Sequence, residues 1–223
     1  MSSVIETDDL CKNYLLGKQV VPVLKNVNFT VGKGDFVAIM GHSGAGKSTL
    51  LNILGCLDTP SSGIYNITGI SVSTLSQSKL AQIRGSQIGF VFQNFNLLPK
   101  LTLYQNVELP LIYGNVTFSK RKSRVEKVLK LLDIWDRRDH KPNELSGGQK
   151  QRAAIARAIV KNPSIILADE PTGNLDSHTT SEILNVFTRL HQEGNTILVI
   201  THEQEVAARA QKVIYLEDGR IAE

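Results

Sequence analysis

Eight consecutive residues, Gly41-His42-Ser43-Gly44-Ala45-Gly46-Lys47-Ser48, carry three glycines, a lysine and a hydroxyl in the spacing G-x-x-x-x-G-K-S, and Thr49 follows. Glycines let the backbone curl until several N–H groups point at one anion with no Cβ in the way. A helix starting near Lys47 adds the positive end of its dipole. Lys47 brings a full charge to the β- and γ-phosphates of a nucleoside triphosphate, and the Ser48 hydroxyl can ligate Mg²⁺. A plain glycine-rich turn would need neither the lysine nor the serine.

A second set lies at Ile165-Ile166-Leu167-Ala168-Asp169-Glu170, where an apolar run ends in two carboxylates. In open α/β sheets ligands bind at the C-terminal ends of the strands. Asp169 is placed there to hold Mg²⁺ through water. Glu170, one residue on, is expected on the other side of the chain by strand alternation, where it can polarise a water attacking the γ-phosphate. A strand ending in two surface acids is the plain alternative, and the phosphate loop upstream argues against it.

A third set is Leu145-Ser146-Gly147-Gly148-Gln149, ahead of an alanine-rich helical stretch. Ser146 and Gln149 match a capping box. That does not explain two glycines in the first turn, where they cost helix stability. Bare glycines leave the terminal N–H groups open to an anion, with the Ser146 hydroxyl beside them. One triphosphate does not need both this helix end and the Lys47 loop from one subunit. A symmetric pair of chains would let each helix end cap the other chain's nucleotide, an isologous arrangement.

These sets need a frame. Val27, Phe29 and Val31 alternate with Asn28 and Thr30 as a half-buried strand does. Gly32-Lys33-Gly34-Asp35 reads as a hairpin turn into a buried strand over Phe36–Met40. A helix follows over Lys47–Leu54, a turn cluster over Asp58–Gly63 and a strand over Ile88–Gln93. Pro99, Pro110 and Gly114 suggest a loop-rich middle. Beyond Ser123, Val125, Val128, Leu129 and Leu132 share one helical face. The opposite face carries Lys120, Arg121, Lys122, Arg124, Lys127 and Lys130, either a solvated face or a surface for anionic lipid. Ser164–Asp169 and Thr196–Thr201 read as buried parallel strands joined by a helix over Ser181–Leu190, and Val213–Ile221 as a closing hairpin. The alternation indicates an α/β fold with an all-helical insertion over about 94–160.

The chain has 223 residues, 41% hydrophobic and 21% charged, which suits one globular domain and excludes dominant disorder. Its two cysteines, Cys11 and Cys56, exclude a disulfide framework and a structural zinc site, and read as small apolar fillers. A net charge of +4 permits a polyanionic ligand or an anionic membrane surface without reaching that of a nucleic-acid arm. No stretch approaches the ~18–20 apolar residues of a membrane helix. The opening MSSVIETDDL is acidic and polar, unlike a secretory signal.

With LSGGQ at 145–149, the phosphate loop and ILADEPTGNLD at 166–176, the chain resembles the nucleotide-binding subunits of ABC transporters, from Val4 to Glu223. GCLDTPSSG at 55–63, FNLLPKLT at 95–102 and NVELPL at 106–111 resemble the lipoprotein-releasing and macrolide-exporting group. The resemblance implies a P-loop NTPase (RecA-like) core with an N-terminal antiparallel β subdomain and an inserted helical subdomain. It is a single ATPase domain over 1–223, with 1–93 and 161–223 as core and 94–160 as the helical signature part. It implies ATP and Mg²⁺, with Ser48, Gln93 and Asp169 at the metal, and catalysis by Glu170, Lys47, Gln93 and His202. Tyr14 resembles the aromatic that stacks on adenine, or else is a strand tyrosine packed on the sheet. Gln93 resembles the glutamine that senses the metal, and His202 the histidine that contacts the γ-phosphate. The other histidines, His42, His140, His178 and His191, read as surface or loop residues. Asn174-Leu175-Asp176 resembles the loop that crosses the dimer, with Asp176 near the nucleotide. His42 and Ala45 depart from the family's usual proline or serine and serine. Phe95, Leu97, Leu98 and Leu101 face either a permease or the core of the helical part.

The implied partners are a second copy of the chain, an integral membrane permease and a periplasmic or extracellular accessory protein, with no nucleic acid. The implied location is cytoplasmic, peripheral on the inner face of the membrane. A force-transmitting ATPase without transport is the alternative. ATPases of DNA repair share an LSGG-type signature, but this chain has no sustained heptads and no zinc-type cysteines.

Overall fold

The computed structural model describes residues 2–222; Met1 and Glu223 lie outside them. The chain opens with β1 (Ser3–Leu16) and β2 (Gln19–Gly32), followed by β3 (Phe36–Met40) and α1 (Lys47–Leu54). Next come β4 (Ser62–Ile67), β5 (Ile70–Ser71), α2 (Gln77–Gln87) and β6 (Ile88–Phe92). Then α3 (Leu103–Tyr113), α4 (Phe118–Leu131), two short 3-10 turns and α5 (Gly147–Ile159) follow without an intervening strand. The chain continues through β7 (Ile165–Asp169), α6 (Ser177–Gln192), β8 (Ile197–Thr201), α7 (Gln204–Ala207), β9 (Lys212–Glu217) and β10 (Arg220–Ile221).

Two sheets form. One is antiparallel, in the order β2-β1-β4-β5; the other runs β10-β9-β3-β8-β7-β6, parallel except for β10. The continuous apolar runs of the second sheet follow from burial on both faces. Alternate residues of one strand enter different cores. Ile166 and Ala168 of β7 and Ile197 and Val199 of β8 pack with α3–α6. Ile165 and Leu167, with Leu198 and Ile200, pack with β1, β2 and α1. The helical insertion therefore shares its core with the sheet: Leu103, Val107, Val125 and Leu129 lie in one cluster with Val91, Ile166 and Ala168. Cys56 is buried, which pushes its thiol up to about 11, as an apolar filler requires.

Two expectations are corrected. Gly32–Asp35 is no hairpin turn, because β2 and β3 belong to different sheets. It is a tight link between layers, closed by the Asp35 carboxylate, which accepts the Gly32 N–H at 2.7 Å. The middle is not loop-rich, because Pro110 sits inside α3. That helix is secured at its start by a capping box of Thr102 and Gln105, and Asn106, fully buried, donates to the carbonyls of Leu98, Leu101 and Thr102. Along α4 and its C-cap, Val125, Val128, Leu129 and Leu132 are buried, and Lys120, Lys122, Arg124, Lys127 and Lys130 are exposed, which fits a solvated face and a lipid-facing one alike.

Candidate active site

The C-terminal ends of four neighbouring strands, β3, β8, β7 and β6, open into one cavity of about 620 Å³. From β3 come Ser43, Gly44, Gly46, Lys47, Ser48 and Thr49; from β6, Gln93; from β7, Asp169 and Glu170; from β8, His202. Val23, at a bulge of β2, closes one side. Residues far apart in the chain meet because parallel strands all end at the same sheet edge.

The loop between β3 and α1 is shaped for an anion. Gly46 occupies the N-cap position with φ 102°, open to glycine and strained for other residues, and offers no side chain to cap the helix. The first N–H groups of α1 thus remain for a ligand. Lys47 Nζ donates to the carbonyls of Gly41 (2.7 Å) and His42 (3.0 Å), so its charge is held at the loop. Three loop residues stand off the cavity wall. Gly41 lies beneath β9, where a Cβ would fall 2.3 Å from the Leu216 carbonyl. His42 turns outward, 3.7 Å from Asp218. Ala45 is buried and donates its N–H to the His42 carbonyl.

The two carboxylates share the cavity, contrary to the alternation expected of a strand. Glu170 has φ 43°, outside the extended region, and this turn brings its side chain back beside Asp169. Its Oε1 lies 2.8 Å from His202 Nδ1, and its Oε2 accepts the His202 backbone N–H at 3.4 Å. Burial and the neighbouring Glu170 raise the Asp169 carboxyl above its ordinary value, with Lys47 opposing them. A divalent cation fits here. The donors that line the cavity are a hydroxyl (Ser48), an amide (Gln93) and a carboxylate (Asp169), the hard oxygen set that suits Mg²⁺. After burial, the Glu170 carboxylate beside it is the second cause of the rise at Asp169, a repulsion that a cation would relieve.

The Ser146 helix end is elsewhere. Ser146 caps α5, accepting the Gln149 N–H at 3.3 Å while Gln149 Oε1 accepts the Ser146 N–H at 3.0 Å. Neither these two nor Gly147 and Gly148 line the cavity of the same chain. The glycines also have a packing role that the sequence did not reveal: a Cβ at Gly148 would lie 2.6 Å from Thr179 Cγ2, and one at Gly147 3.1 Å from Leu175 Cδ2. Thr179 is held by Asp176, which caps α6 through the Thr179 N–H (3.0 Å) and Oγ1 (2.7 Å). These bonds hold the Asp176 carboxyl below its usual range.

Several supporting residues escaped sequence reasoning. Gln151, fully buried on α5, donates Nε2 to the Pro171 carbonyl at 2.6 Å, gripping the residue after Glu170. Thr172 Oγ1 donates to Glu203 Oε2 at 3.0 Å, tying that turn to the residue after His202. Arg157 donates to the carbonyls of Phe95 and Asn96, two left-handed residues just past Gln93. Q-x-x-x-x-x-R from 151 to 157 on an alanine-rich helix was the available signal. His191 is not a loop residue but sits in the last turn of α6 with its ring 5.7 Å from Phe36. Tyr14 is part-exposed on β1, outside the cavity wall, with its hydroxyl on Asp58. Leu97 packs on the helical core, whereas Leu98 is exposed.

A family model described as "ABC transporter" matches residues 24–173. An uncharacterized ABC transporter ATP-binding protein of Bacillus subtilis, YvrO, is 50% identical over 218 residues, covering 98% of this chain and 95% of that protein. The macrolide export ATP-binding/permease protein MacB of Brucella melitensis is 48% identical over 218 residues, and the chain spans 34% of its length. Among solved structures, the dimeric post-hydrolysis state of the ATP-binding cassette MJ0796, bound to ADP and Pi, is similar with a TM-score of 0.89 and 46% identity. The match covers 98% of this chain and 97% of that one.

Proposed function

This chain belongs to the ABC transporter family, and from that premise we propose that it hydrolyses ATP as one of two identical subunits closed around two Mg-ATP, driving a membrane permease of the export or lipoprotein-release kind. The observation that carries the reading is the division of parts. One chain gathers the phosphate loop, both carboxylates, Gln93 and His202 in a single cavity, yet leaves the Ser146 helix end outside it. A second copy, presenting that end, completes the chamber.

Within it, Lys47 leaves the loop carbonyls for the β- and γ-phosphate oxygens, and the N–H groups at the start of α1 neutralise charge on the phosphates. Glu170 accepts the proton of the attacking water. The His202 imidazole, already on Glu170 Oε1, fixes which oxygen faces that water. Ser48, Asp169 and Gln93 would hold Mg²⁺, which would supply neutralising charge at the phosphates when bound. The second copy's Ser146 hydroxyl and helix N–H groups stabilise the γ-phosphate from the far side.

No helix among the described residues is long and apolar enough to cross a membrane. An export role requires a membrane-spanning part, and the similarity to the macrolide export ATP-binding/permease protein MacB supports a permease of that sort. A groove of about 410 Å³ between α3, β6 and α5 suits its docking. It offers Leu109, Pro110 and Tyr113 as apolar contacts and Arg157 and Lys161 as cations, beside the loop that begins at Gln93. On this reading the subunit works at the cytoplasmic face of the membrane.

The Glu170→Gln variant tests the reading. It is expected to bind ATP, lose about 10²- to 10⁴-fold in turnover, accumulate as an ATP-bound dimer, and carry an integral membrane protein when purified from its own host's membranes. Wild-type turnover would refute the role of Glu170, and recovery without a membrane protein would refute the permease partner.

A further inference from the structure

The segment Gly55–Gly63 contributes nothing to the cavity wall, yet it is bound tightly to its surroundings. The backbone N–H groups of Leu57 and Asp58 donate to the Asn52 carbonyl, and Arg84 Nη1 donates to the Cys56 carbonyl at 2.6 Å. On its other side the Ser61 N–H donates to the Cys11 carbonyl, and the Asn13 N–H donates to Ser61 Oγ at 2.9 Å. The segment thus joins the C-terminal end of α1 to β1.

At the centre of this junction stands Asp58. Oδ1 accepts from Lys12 Nζ at 2.8 Å and from the Thr59 N–H at 2.7 Å, and Oδ2 accepts from the Tyr14 hydroxyl at 3.0 Å. Lys12 also donates to the Thr59 carbonyl at 2.7 Å, is only 9% exposed, and holds its ammonium 5.0 Å from the centroid of the Tyr14 ring. The ring itself is 38% exposed. Tyr14 pairs with Val21 of β2, and Val23, two residues along that strand, lines the cavity. Two residues of strand span about 7 Å, so the ring stands next to the rim where a nucleoside would leave the phosphate loop.

We propose that Asp58 is a positioning residue for the nucleobase: with Lys12 it fixes the plane of the Tyr14 ring, the lysine covering one face and the other left to stack on the base. The proposal rests on the nucleotide reading above. The physical gain is preorganisation. A tyrosine free to rotate on an exposed strand would lose that freedom on stacking, and a ring already held by its hydroxyl and one face does not. The same junction references the base platform to the phosphates. α1 begins at Lys47 and ends at Leu54, about 12 Å of rigid helix, with the phosphate cradle at one end and the Asp58 segment at the other.

The test is calorimetric titration of the full chain with Mg-ATP and, separately, with magnesium tripolyphosphate, which has no base. Tyr14→Phe keeps the ring and removes only its bond to Asp58; Asp58→Ala removes the clamp; Tyr14→Ala removes the platform. Tyr14→Phe and Asp58→Ala are each expected to weaken ATP about three- to five-fold, Tyr14→Ala at least as much. Tripolyphosphate affinity should stay unchanged throughout, and Asp58→Ala combined with Tyr14→Ala should add nothing to Tyr14→Ala alone. Should Asp58→Ala not fold, Tyr14→Phe carries the comparison. The proposal is overturned if Tyr14→Phe and Asp58→Ala bind ATP as wild type does while Tyr14→Ala does not, or if tripolyphosphate weakens in step with ATP. Unchanged ATP binding by Tyr14→Ala overturns the platform and the clamp together. Wild-type chain that binds neither probe contradicts the nucleotide reading itself.

Discussion

Asp169 and Glu170 are consecutive acids on one cavity wall, and the site keeps both there at a cost. Burial and the adjacent Glu170 raise the Asp169 carboxyl above the 3.8 expected of an unfolded chain, so folding weakens its ionised form. For a carboxyl shifted in this direction the penalty is full above the folded pKa and vanishes below the unfolded one. Asp169→Asn is therefore expected to raise the melting temperature at neutral pH without nucleotide. The advantage should shrink as pH falls and disappear below about pH 4. The same change should cut hydrolysis at least ~10²-fold, through loss of a cation ligand. Melting curves from neutral to acid pH check the sign; a variant less stable than wild type at neutral pH would show that Asp169 is held by interactions that outweigh its burial.

At the scale of elements, the start of α5 answers to two demands. On the proposed reading its N–H groups serve a nucleotide on a second chain, and its first turn packs against the start of α6, where Thr179 Cγ2 leaves no room for a Cβ at residue 148. Gly148→Ala should lower both stability and turnover. Thr179→Ser keeps the hydroxyl bond to Asp176 and removes the clashing methyl, so the double variant should recover the stability. Turnover that also returns would assign the glycine to packing, whereas stability without turnover would assign it to ligand access; thermal melts and ATPase rates read the two apart. The strands and the loops that end them were legible because burial on both faces leaves an uninterrupted apolar run, and because glycine, lysine and paired acids are rare in such surroundings. Less visible was α2, whose 11 residues bury only Leu80 and Ile83, too few for a periodic signal. The helix around Pro110 was hidden for a different reason. Proline removes one helical hydrogen bond, and the capping box at Thr102 and the buried Asn106 that stabilise α3 act through side-chain geometry. Nor could alternation show that Glu170 leaves the strand with a positive φ and joins Asp169.

For the molecule as a whole, the parallel sheet is held between two cores, and its open edge gathers Lys47, Asp169, Glu170 and His202 in one cavity, while the Ser146 hydroxyl and the N–H groups at the head of α5 lie outside it. Gln151 binds that same helix to the turn that follows Glu170, so the part offered to a neighbour and the part kept for the chain's own nucleotide belong to one body. Closure by a twin then follows as the simplest way to complete both chambers at once, in the symmetric sense in which each surface meets its counterpart. The most direct measurement is ATP turnover per chain over a dilution series, with sedimentation at each concentration recording how much of the protein is paired. Turnover per chain is expected to fall in proportion to the paired fraction and to vanish in the monomer. Undiminished turnover at dilutions where only single chains sediment would contradict it.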